Sequence, residues 1–312
     1  MTSSAIAVSG LRKAYGDKVV LDGIDLDVPA GTIFSLLGPN GAGKTTTVNV
    51  LTTLMKADGG AVSVAGHDVA TEAKAVRAAI GVTGQFAAVD ELLTGQENLQ
   101  LMVDLNRGAG DGQRQITELL ERFDLVESAQ KQVSTYSGGM RRKLDLAMTL
   151  VGSPKIIFLD EPTTGLDPRS RRTMWTIIRE LVADGVTIFL TTQYLDEADQ
   201  LADRIAVLDQ GRLVAQGTPD ELKRQLPGTH VRLRFGTVAE LDAAAGLFAD
   251  STRDDEALAL RVPSDGGTKS LRAVLDRLDE HALSAEEFSV HTPDLDDVFL
   301  ALTGHTTEVV AK

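Results

Sequence analysis

The chain has 312 residues, of which 43% are hydrophobic and 24% are charged, and its formal net charge is −14. This length can bury a large core and predicts two domains rather than one. The acidic balance argues against a nucleic-acid-binding protein, because phosphate backbones select basic surfaces. The absence of cysteine excludes disulfides, thiol catalysis and cysteine metal sites.

Targeting and membrane signals are also missing from the sequence. No apolar run reaches the roughly 18–20 residues that span a bilayer. The segment Met1–Ala7 lacks the cationic start and the long apolar stretch of a secretion signal. We therefore expect a cytoplasmic chain that reaches a membrane only through a partner.

Short β-branched runs alternate with helical patterns, which predicts an α/β fold with a largely parallel sheet. Three runs are almost wholly apolar and predict central strands buried on both faces: Ile33–Leu37, Ile156–Leu159 and Val186–Leu190. Further strands are predicted at Ile6–Val8, Val19–Val28, Ala61–Val64, Ile80–Val82, Ile205–Leu208 and Arg212–Ala215.

Two regions depart from this alternation. From about residue 90 to 150 the strand signals vanish, and helical periodicity in Glu97–Leu105 and Gln113–Phe123, split by the Gly-rich Gly108–Gly112, predicts a helical insert. After Pro227-Gly228 the pattern predicts a small α+β domain, at 228–312, that carries twice as many acidic as basic residues. Its strands are predicted at His230–Phe235, Leu258–Val262 and Glu286–His291, and its helices at Val238–Phe248, Thr268–His281 and Leu295–Leu302.

A phosphate-binding loop is predicted at Gly38-Pro-Asn-Gly-Ala-Gly-Lys-Thr45, which fits the G-x-x-x-x-G-K-[ST] pattern in full. It follows a buried strand and precedes the helical stretch Thr45–Leu54, as the pattern requires. Gly41 and Gly43 let backbone N–H groups turn toward an anion. We expect Lys44 to meet the β- and γ-phosphates of a nucleotide and the hydroxyl of Thr45 to bind Mg²⁺. The alternative is a glycine-rich turn that has only a structural role.

Two carboxylates, Asp160 and Glu161, follow the apolar strand Ile156–Leu159. Buried acids are costly unless they meet a cation or a hydrogen-bond network, and Mg²⁺–ATP supplies that cation. We expect Asp160 to hold Mg²⁺, mostly through water, and Glu161 to polarise the attacking water as general base. The alternative is a strand-end pair that caps a neighbouring helix.

With these motifs in the same order, residues Ile6 to Leu226 resemble the ATP-binding-cassette (ABC) ATPase family. Tyr136-Ser-Gly-Gly-Met140 looks like the family signature, usually written L-S-G-G-Q, with its first and last positions changed. The resemblance implies that Ser137, Gly138 and Gly139 face the γ-phosphate held by a second copy, so that ATP lies in a head-to-tail sandwich. The implied fold is a P-loop NTPase of ABC type at 1–227, with a helical signature subdomain at about 90–150.

The resemblance assigns roles to further positions. Tyr15 resembles the aromatic residue that stacks on adenine, Gln85 the glutamine that touches Mg²⁺ and reports to the membrane partner, and Asp167 the residue of a loop that couples the two sites. Each also has a purely structural interpretation: a surface tyrosine, a strand-end glutamine and a helix cap. The loop residues implied to contact the nucleotide are Gly38, Asn40, Gly41, Gly43, Lys44, Thr45 and Thr46.

One position departs from the family. Where a histidine usually follows the strand Val186–Leu190, this chain has Thr192-Gln193-Tyr194. Gln193 can donate an amide N–H to the γ-phosphate but cannot carry a proton. We therefore expect Gln193 to position the phosphate, with Glu161 as the base.

The stretch from Thr191 to Arg204 and the C-terminal Leu295-Asp-Asp-Val-Phe-Leu-Ala-Leu302 are similar to the daunorubicin/doxorubicin-resistance ATP-binding subunits of actinobacteria. This resemblance implies an ATPase that powers efflux of lipophilic drugs, antibiotics or lipid-like natural products. Its implied partners are a second copy of itself and separate transmembrane permease subunits, with no nucleic acid, and its place is the inner face of the cell membrane. An importer subunit and a soluble ABC ATPase without a transport role remain as alternatives. For the role of the C-terminal domain the sequence leaves four alternatives: it stabilises the dimer, regulates it, braces the permease, or is only a packed cap.

Overall fold

A computed structural model describes residues 4–85, 87–106, 112–224, 229–265, 267–291 and 293–303. The chain divides into two compact units, Met1–Pro219 and Asp220–Lys312. The domain boundary expected from the sequence, after residue 227, lies outside the described residues, and the division between the units comes eight positions earlier. Among the described residues, no helix combines the length and the apolar character that crossing a bilayer demands.

The first unit contains ten strands and seven α-helices among its described residues. Its strands are β1 (Ser4–Tyr15), β2 (Lys18–Pro29), β3 (Ile33–Leu37), β4 (Gly59–Val64), β5 (His67–Asp68), β6 (Ile80–Thr83), β7 (Ile156–Asp160), β8 (Thr187–Thr192), β9 (Arg204–Asp209) and β10 (Arg212–Gly217). Its helices are α1 (Lys44–Leu51), α2 (Ala73–Ala79), α3 (Gly95–Asn106), α4 (Gly112–Arg122), α5 (Gly138–Leu150), α6 (Pro168–Ala183) and α7 (Leu195–Leu201).

A six-stranded sheet in the order β10-β9-β3-β8-β7-β6 forms the centre of this unit, and only the pairing of β10 with β9 is antiparallel. Successive side chains of β7 pack into the hydrophobic cores on opposite faces of the sheet. Ile156 and Phe158 pack with the residues of one cluster, and Ile157 and Leu159 with those of the other. The strand is apolar throughout its first four positions because both faces of the sheet are covered.

A second, four-stranded sheet in the order β2-β1-β4-β5 is antiparallel. The strands expected at Ile6–Val8, Val19–Val28 and Ala61–Val64 therefore exist but lie outside the parallel sheet. Their spacing alone gave no sign of a separate sheet. The packing of β1, β2 and β4 with α1 against one face of the central sheet makes up one of the two cores of the unit.

The expected helical insert is formed by α3, α4 and α5, which pack with α6 against the other face of the central sheet. Between residues 90 and 150 the described β-structure is confined to one isolated bridge, Thr94 with Gln132. The predicted glycine-rich break at Gly108–Gly112 lies outside the described residues except for Gly112, where α4 begins.

The second unit is a small α+β fold with its own core. The elements are α8 (Pro219–Arg224, across the boundary), β11 (His230–Arg234), α9 (Val238–Leu247), β12 (Thr252–Asp254), β13 (Ala259–Pro263), α10 (Thr268–Glu280), β14 (Glu287–His291) and α11 (Leu295–Thr303). The sheet has the antiparallel order β12-β13-β11-β14. Val231 and Leu233 of β11 pack with Leu241 of α9 and with Val274 and Leu278 of α10. The predicted fold class, an α/β cassette with a helical insert and a C-terminal α+β unit, is confirmed.

Candidate functional site

The loop between β3 and α1 presents an open backbone at the start of a helix. Gly41 has φ +82° and Gly43 has φ +113°, a left-handed region that glycine adopts without strain. A Cβ on Gly41 would meet nothing within 4 Å, so this part of the loop is open to a ligand. α1 begins at Lys44, and the free N–H groups of a first helical turn attract anions. The loop is therefore suited to a phosphate chain.

Two other glycines of the loop lie close against the sheets. A Cβ on Gly38 would lie 2.3 Å from the backbone oxygen of Leu208 in β9, and a Cβ on Gly43 would lie 2.7 Å from Cδ2 of Leu21 in β2. Real Cβ atoms do not approach other atoms this closely. Backbone contact requires glycine at position 38, and the left-handed φ of +113° together with the contact to Leu21 favours glycine at position 43.

Lys44 is held over this loop and is only 6% exposed. Its Nζ donates hydrogen bonds to the carbonyl oxygens of Gly38, at 2.8 Å, and Pro39, at 3.1 Å. Nζ also lies 3.5 Å from Oε1 of Glu161. Burial lowers the pKa of Lys44, and the carboxylates of Glu161 and Asp160 oppose that shift. These neighbours hold the ammonium group at the mouth of the loop, where it can meet phosphate oxygens.

The end of β7 brings the predicted metal ligands together. The hydroxyl of Thr45 donates to Oδ2 of Asp160 at 3.1 Å, and the hydroxyl of Thr191 in β8 donates to Oδ1 of the same carboxylate. Hydroxyl and carboxylate oxygens, completed by substrate phosphates and water, are the ligands that Mg²⁺ selects. The donor set at Thr45 and Asp160 therefore fits Mg²⁺.

Glu161 follows β7 in a left-handed conformation, with φ +49°. This backbone conformation is uncommon for a residue with a Cβ and is concentrated at functional sites. The buried carboxylate has three polar neighbours: Nζ of Lys44 at 3.5 Å, Nε2 of Gln85 at 3.5 Å and the hydroxyl of Thr164 at 3.3 Å. The main-chain N–H of Glu161 donates to the carbonyl oxygen of Thr191 at 3.1 Å. The structure thus brings Gln85, Lys44 and Glu161 together around one point.

The structure places two further predicted residues at strand ends. Gln193 directly follows β8, and the carbonyl oxygen of its neighbour Thr192 accepts a hydrogen bond from the N–H of Gly38 at 3.2 Å. Tyr15 ends β1, is 49% exposed, and donates its hydroxyl proton to Sδ of Met55 at 3.0 Å. An exposed aromatic ring is available to stack on a base.

The signature residues form a second cluster. Ser137 is the N-cap of α5, where its Oγ accepts a hydrogen bond from the N–H of Met140 at 3.2 Å. A Cβ on Gly139 would lie 2.8 Å from Oγ of Ser170 in α6. Asp167 caps α6 and accepts hydrogen bonds from the N–H groups of Arg169 and Ser170, each at 3.0 Å. The predicted signature and the predicted coupling loop therefore pack together.

The sequence did not point to Arg142 of α5. Its guanidinium donates hydrogen bonds to the carbonyl oxygens of Gly84, at 2.6 Å, Pro162, at 3.0 Å, and Asp160, at 3.3 Å. It also pairs with Oδ2 of Asp145 at 3.3 Å. Burial lowers the pKa of Arg142 and raises the pKa of Asp145. The i, i+3 spacing of opposite charges on α5 was the available signal.

Glu197 of α7 is the second group that the sequence did not point to. Its carboxylate is fully buried and accepts hydrogen bonds from the hydroxyl of Thr163, at 2.8 Å, and from Nε1 of Trp175, at 3.1 Å. Burial raises the pKa of Glu197, and hydrogen bonds from Thr192, Thr163 and Trp175 oppose that shift. The side chain thereby joins the segment after Glu161 to the end of β8.

Comparison with known proteins decides the identity. The ABC transporter family model matches residues 21–164, and a model of the C-terminal domain of DrrA1-3-like ATP-binding proteins matches residues 217–303. The chain is 49% identical over 312 residues to the daunorubicin resistance ATP-binding protein DrrA3 of Streptomyces coeruleorubidus, with 99% of each chain covered. It is 38% identical to the Nod factor export ATP-binding protein I of Ralstonia nicotianae, with 96% of this chain and 94% of that protein covered. This chain is an ATP-binding subunit of the ABC transporter family.

Solved structures agree with this assignment. A structure described as an ATP-binding subunit of an ABC transporter covers 71% of this chain and 93% of its own, with a TM-score of 0.64 and 29% identity. A dimeric ATP-binding cassette in a post-hydrolysis state, bound to ADP and Pi, covers 68% of this chain and 98% of its own, with a TM-score of 0.62 and 26% identity. The ABC subunit is accordingly an ATPase whose hydrolysis of ATP is coupled to transport, as the sequence predicts.

Proposed function

We propose that two copies of this subunit close head to tail around ATP and power a membrane exporter. The observation that carries the proposal is the meeting of Lys44, Glu161 and Gln85 beside the Thr45–Asp160 pair, with Lys44 and Gln85 each 3.5 Å from the Glu161 carboxylate. A cationic group for phosphate, a base and a polar sensor then surround one reacting phosphorus. This combination suits phosphoryl transfer to water.

The nucleotide would be held by the loop and by the exposed ring of Tyr15. The backbone from Gly38 to Gly43, including Asn40, would contact the phosphates, together with Lys44 and the side chains of Thr45 and Thr46. Mg²⁺, held by Thr45, Asp160 and Gln85, would neutralise phosphate charge when it is bound. Tyr15 would stack on adenine, where its exposed ring supplies an apolar face.

Glu161 would act as the general base. Its carboxylate accepts a proton from water as the water oxygen bonds to the γ-phosphorus, and the bond between that phosphorus and the bridging oxygen breaks to leave ADP and phosphate. Lys44 would stabilise the charge on the phosphate oxygens. Gln193, next to the phosphate loop, would donate an N–H to the γ-phosphate without transferring a proton.

The Ser137 turn would complete the site of the partner copy. Ser137, Gly138 and Gly139 stand at the N-terminus of a 13-residue helix, whose dipole favours an anion. They pack against the Asp167 loop, so each signature is joined to a segment that leads back to Glu161 of its own chain. Intact ATP would bridge the two copies, and loss of the γ-phosphate would release them.

The helical insert and the segment that carries Gln85 would dock on a separate transmembrane permease at the inner face of the membrane. Three leucines of the insert are exposed, and Leu92 is 80% accessible. Exposed apolar side chains are suited to contact with a protein partner. The exposed leucines are Leu92, Leu101 and Leu105.

We propose lipophilic drugs, antibiotics or lipid-like natural products as cargo. The relatives named for daunorubicin resistance and for Nod factor export support this class, since one name refers to resistance to a drug and the other to export. The C-terminal domain, proposed at 228–312, is expected to stabilise or regulate the dimer. Its separate core allows it to act as an accessory unit.

The test uses inside-out membrane vesicles that contain the full chain and its candidate permease. ATP-driven accumulation of a fluorescent anthracycline is expected with the wild-type chain and not with Glu161→Gln. Glu161→Gln should lower ATP hydrolysis by about 10²–10⁴-fold and retain Mg–ATP binding. On size exclusion with light scattering, Glu161→Gln should be a dimer in Mg–ATP. A monomer at saturating Mg–ATP would contradict the sandwich, and ATP-driven transport of a nutrient in the opposite direction would indicate an importer.

A further inference from the structure

We propose that Arg142 is a positioning residue for ATP hydrolysis, which holds Gln85 and Glu161 at their working separation and ties both to the signature helix α5. This inference rests on the proposed roles of Gln85 and Glu161. It assigns a function to a buried ion pair, Arg142 with Asp145, that lies outside the residues proposed to contact nucleotide or metal.

Arg142 contacts the chain on both sides of Glu161. Its Nη2 donates to the carbonyl oxygen of Asp160 at 3.3 Å, and its Nε donates to that of Pro162 at 3.0 Å. Glu161 lies between these two anchored carbonyl groups and has a left-handed backbone with φ +49°. A conformation of this kind persists only where its surroundings hold it. The rigid guanidinium fork supplies that restraint.

The same pair contacts both ends of the short segment that carries Gln85. Nη1 of Arg142 donates to the carbonyl oxygen of Gly84 at 2.6 Å. Oδ1 of Asp145 accepts a hydrogen bond from the N–H of Ala88 at 3.0 Å. Gln85 and Glu161 are therefore each one residue from a carbonyl held by Arg142. The 3.5 Å separation between Nε2 of Gln85 and Oε2 of Glu161 follows from this shared anchor.

Arg142 is also the fifth residue of α5, about one turn beyond the Ser137 cap. A displacement of the Gln85 segment would act on α5 through Arg142 and so reach the Ser137 turn. Both members of the pair are buried: the Arg142 side chain is 8% exposed and that of Asp145 is 4% exposed. Water competes little with hydrogen bonds at such sites, so the anchor is stiff.

Lysine at position 142 tests the geometry because it keeps the charge and loses the planar fork. In the purified full chain, Arg142→Lys is expected to lower the rate of a single ATP turnover by at least about tenfold, as for lost hydrogen bonds to a charged group. The Kd for Mg–ATP should stay near that of the wild type. Arg141→Lys is the matched control, because that guanidinium bonds to the carbonyl oxygens of Val133 and Ser134, away from Gln85 and Glu161. Arg141→Lys should keep the wild-type rate.

A double-mutant cycle separates positioning from general loss of structure. If Arg142 acts through Glu161, Arg142→Lys should have little further effect on the residual rate of Glu161→Gln. An equal fold-loss in both backgrounds, or a loss no larger than that of Arg141→Lys, would overturn the inference. If Glu161→Gln alone kept the wild-type rate, the assignment of Glu161 as the base would be wrong. The inference would then fail because the proposed function fails, and not because Arg142 lacks a positioning role.

Asp145→Asn provides a second variant if Arg142→Lys does not fold. Asparagine keeps an acceptor for the N–H of Ala88 but loses the charge that orients Arg142. We expect a smaller loss of turnover rate, again absent in the Glu161→Gln background, with Mg–ATP affinity retained. A normal rate for Asp145→Asn would contradict the role of the pair.

Discussion

Nζ of Lys44 lies 3.5 Å from Oε1 of Glu161, and both side chains are buried. The lysine follows β3 and the glutamate follows β7, with β8 between these strands in the sheet. The group that would hold the phosphates and the group that would activate water are thus direct neighbours. A change at either position is expected to alter the electrostatics of the other.

Lys44→Ala should weaken Mg–ATP binding by about 10–100-fold, because it removes charge-assisted hydrogen bonds to phosphate oxygens. Isothermal titration calorimetry of the full chain measures the Kd. Lys18→Ala, which changes an exposed lysine of β2, is the control and should bind like the wild type. Unchanged affinity of Lys44→Ala would mean that the loop does not receive the phosphates.

Gln193→Ala should lower the rate of ATP hydrolysis by about 2–10-fold, the cost of a neutral hydrogen bond. Glu161→Gln should cost about 10²–10⁴-fold, because a general base is removed. Phosphate release at saturating Mg–ATP compares the two variants directly. If Gln193→Ala were as inactive as Glu161→Gln, the prediction that Gln193 only positions the phosphate would be wrong.

Glu197→Gln should change how stability depends on pH. Burial raises the pKa of Glu197 in the folded chain above its ordinary value of 4.5. The folded state therefore retains the proton longer than the unfolded state does, and this contribution to stability is complete below the ordinary pKa and is lost as pH rises through the raised pKa. Glutamine does not titrate, so the Tm of the variant relative to the wild type should increase from about pH 5 upward.

Differential scanning calorimetry of both proteins at several pH values checks this trend. Glu180→Gln is the control, since Glu180 lies exposed on α6. Its Tm difference from the wild type gives the baseline for the same substitution at an exposed glutamate. A constant difference for Glu197→Gln would show that the buried carboxylate contributes no pH dependence.

Gly43→Ala and Gly246→Ala should have opposite effects on stability. Gly43 has φ +113° and would place a Cβ 2.7 Å from Leu21, so alanine should destabilise the chain by about 1–3 kcal/mol. Gly246 lies in α9 with nothing within 4 Å of its Cβ position, and alanine there should stabilise the second unit by about 0.4–1 kcal/mol. Urea unfolding gives both free energies of unfolding. Equal effects of the two changes would contradict the close packing of the phosphate loop.

Several parts of the candidate site could be predicted from the sequence because each is contiguous. The loop Gly38–Thr45, the pair Asp160-Glu161 and the turn Ser137–Gly139 carry their own spacing and flanking elements. Strand positions were predictable because nearly continuous apolar runs identify strands that are covered on both faces. The separate antiparallel sheet of β1, β2, β4 and β5 was not predicted, since the pairing partner of a strand is not written in its local pattern.

The buried polar contacts were decided by tertiary structure. In the local sequence Arg142 is one of three consecutive cations after a helix cap. Its hydrogen bonds to the carbonyl oxygens of Gly84, Asp160 and Pro162 form only because α5, the segment at Gly84 and the end of β7 meet in the fold. Glu197 likewise became significant only when α7 placed it beside Thr163 and Trp175. A local motif determines which chemical groups the chain offers. The order of strands in the sheet determines which of them come within hydrogen-bonding distance, because the carboxyl ends of parallel neighbours lie at one edge whatever their separation along the chain.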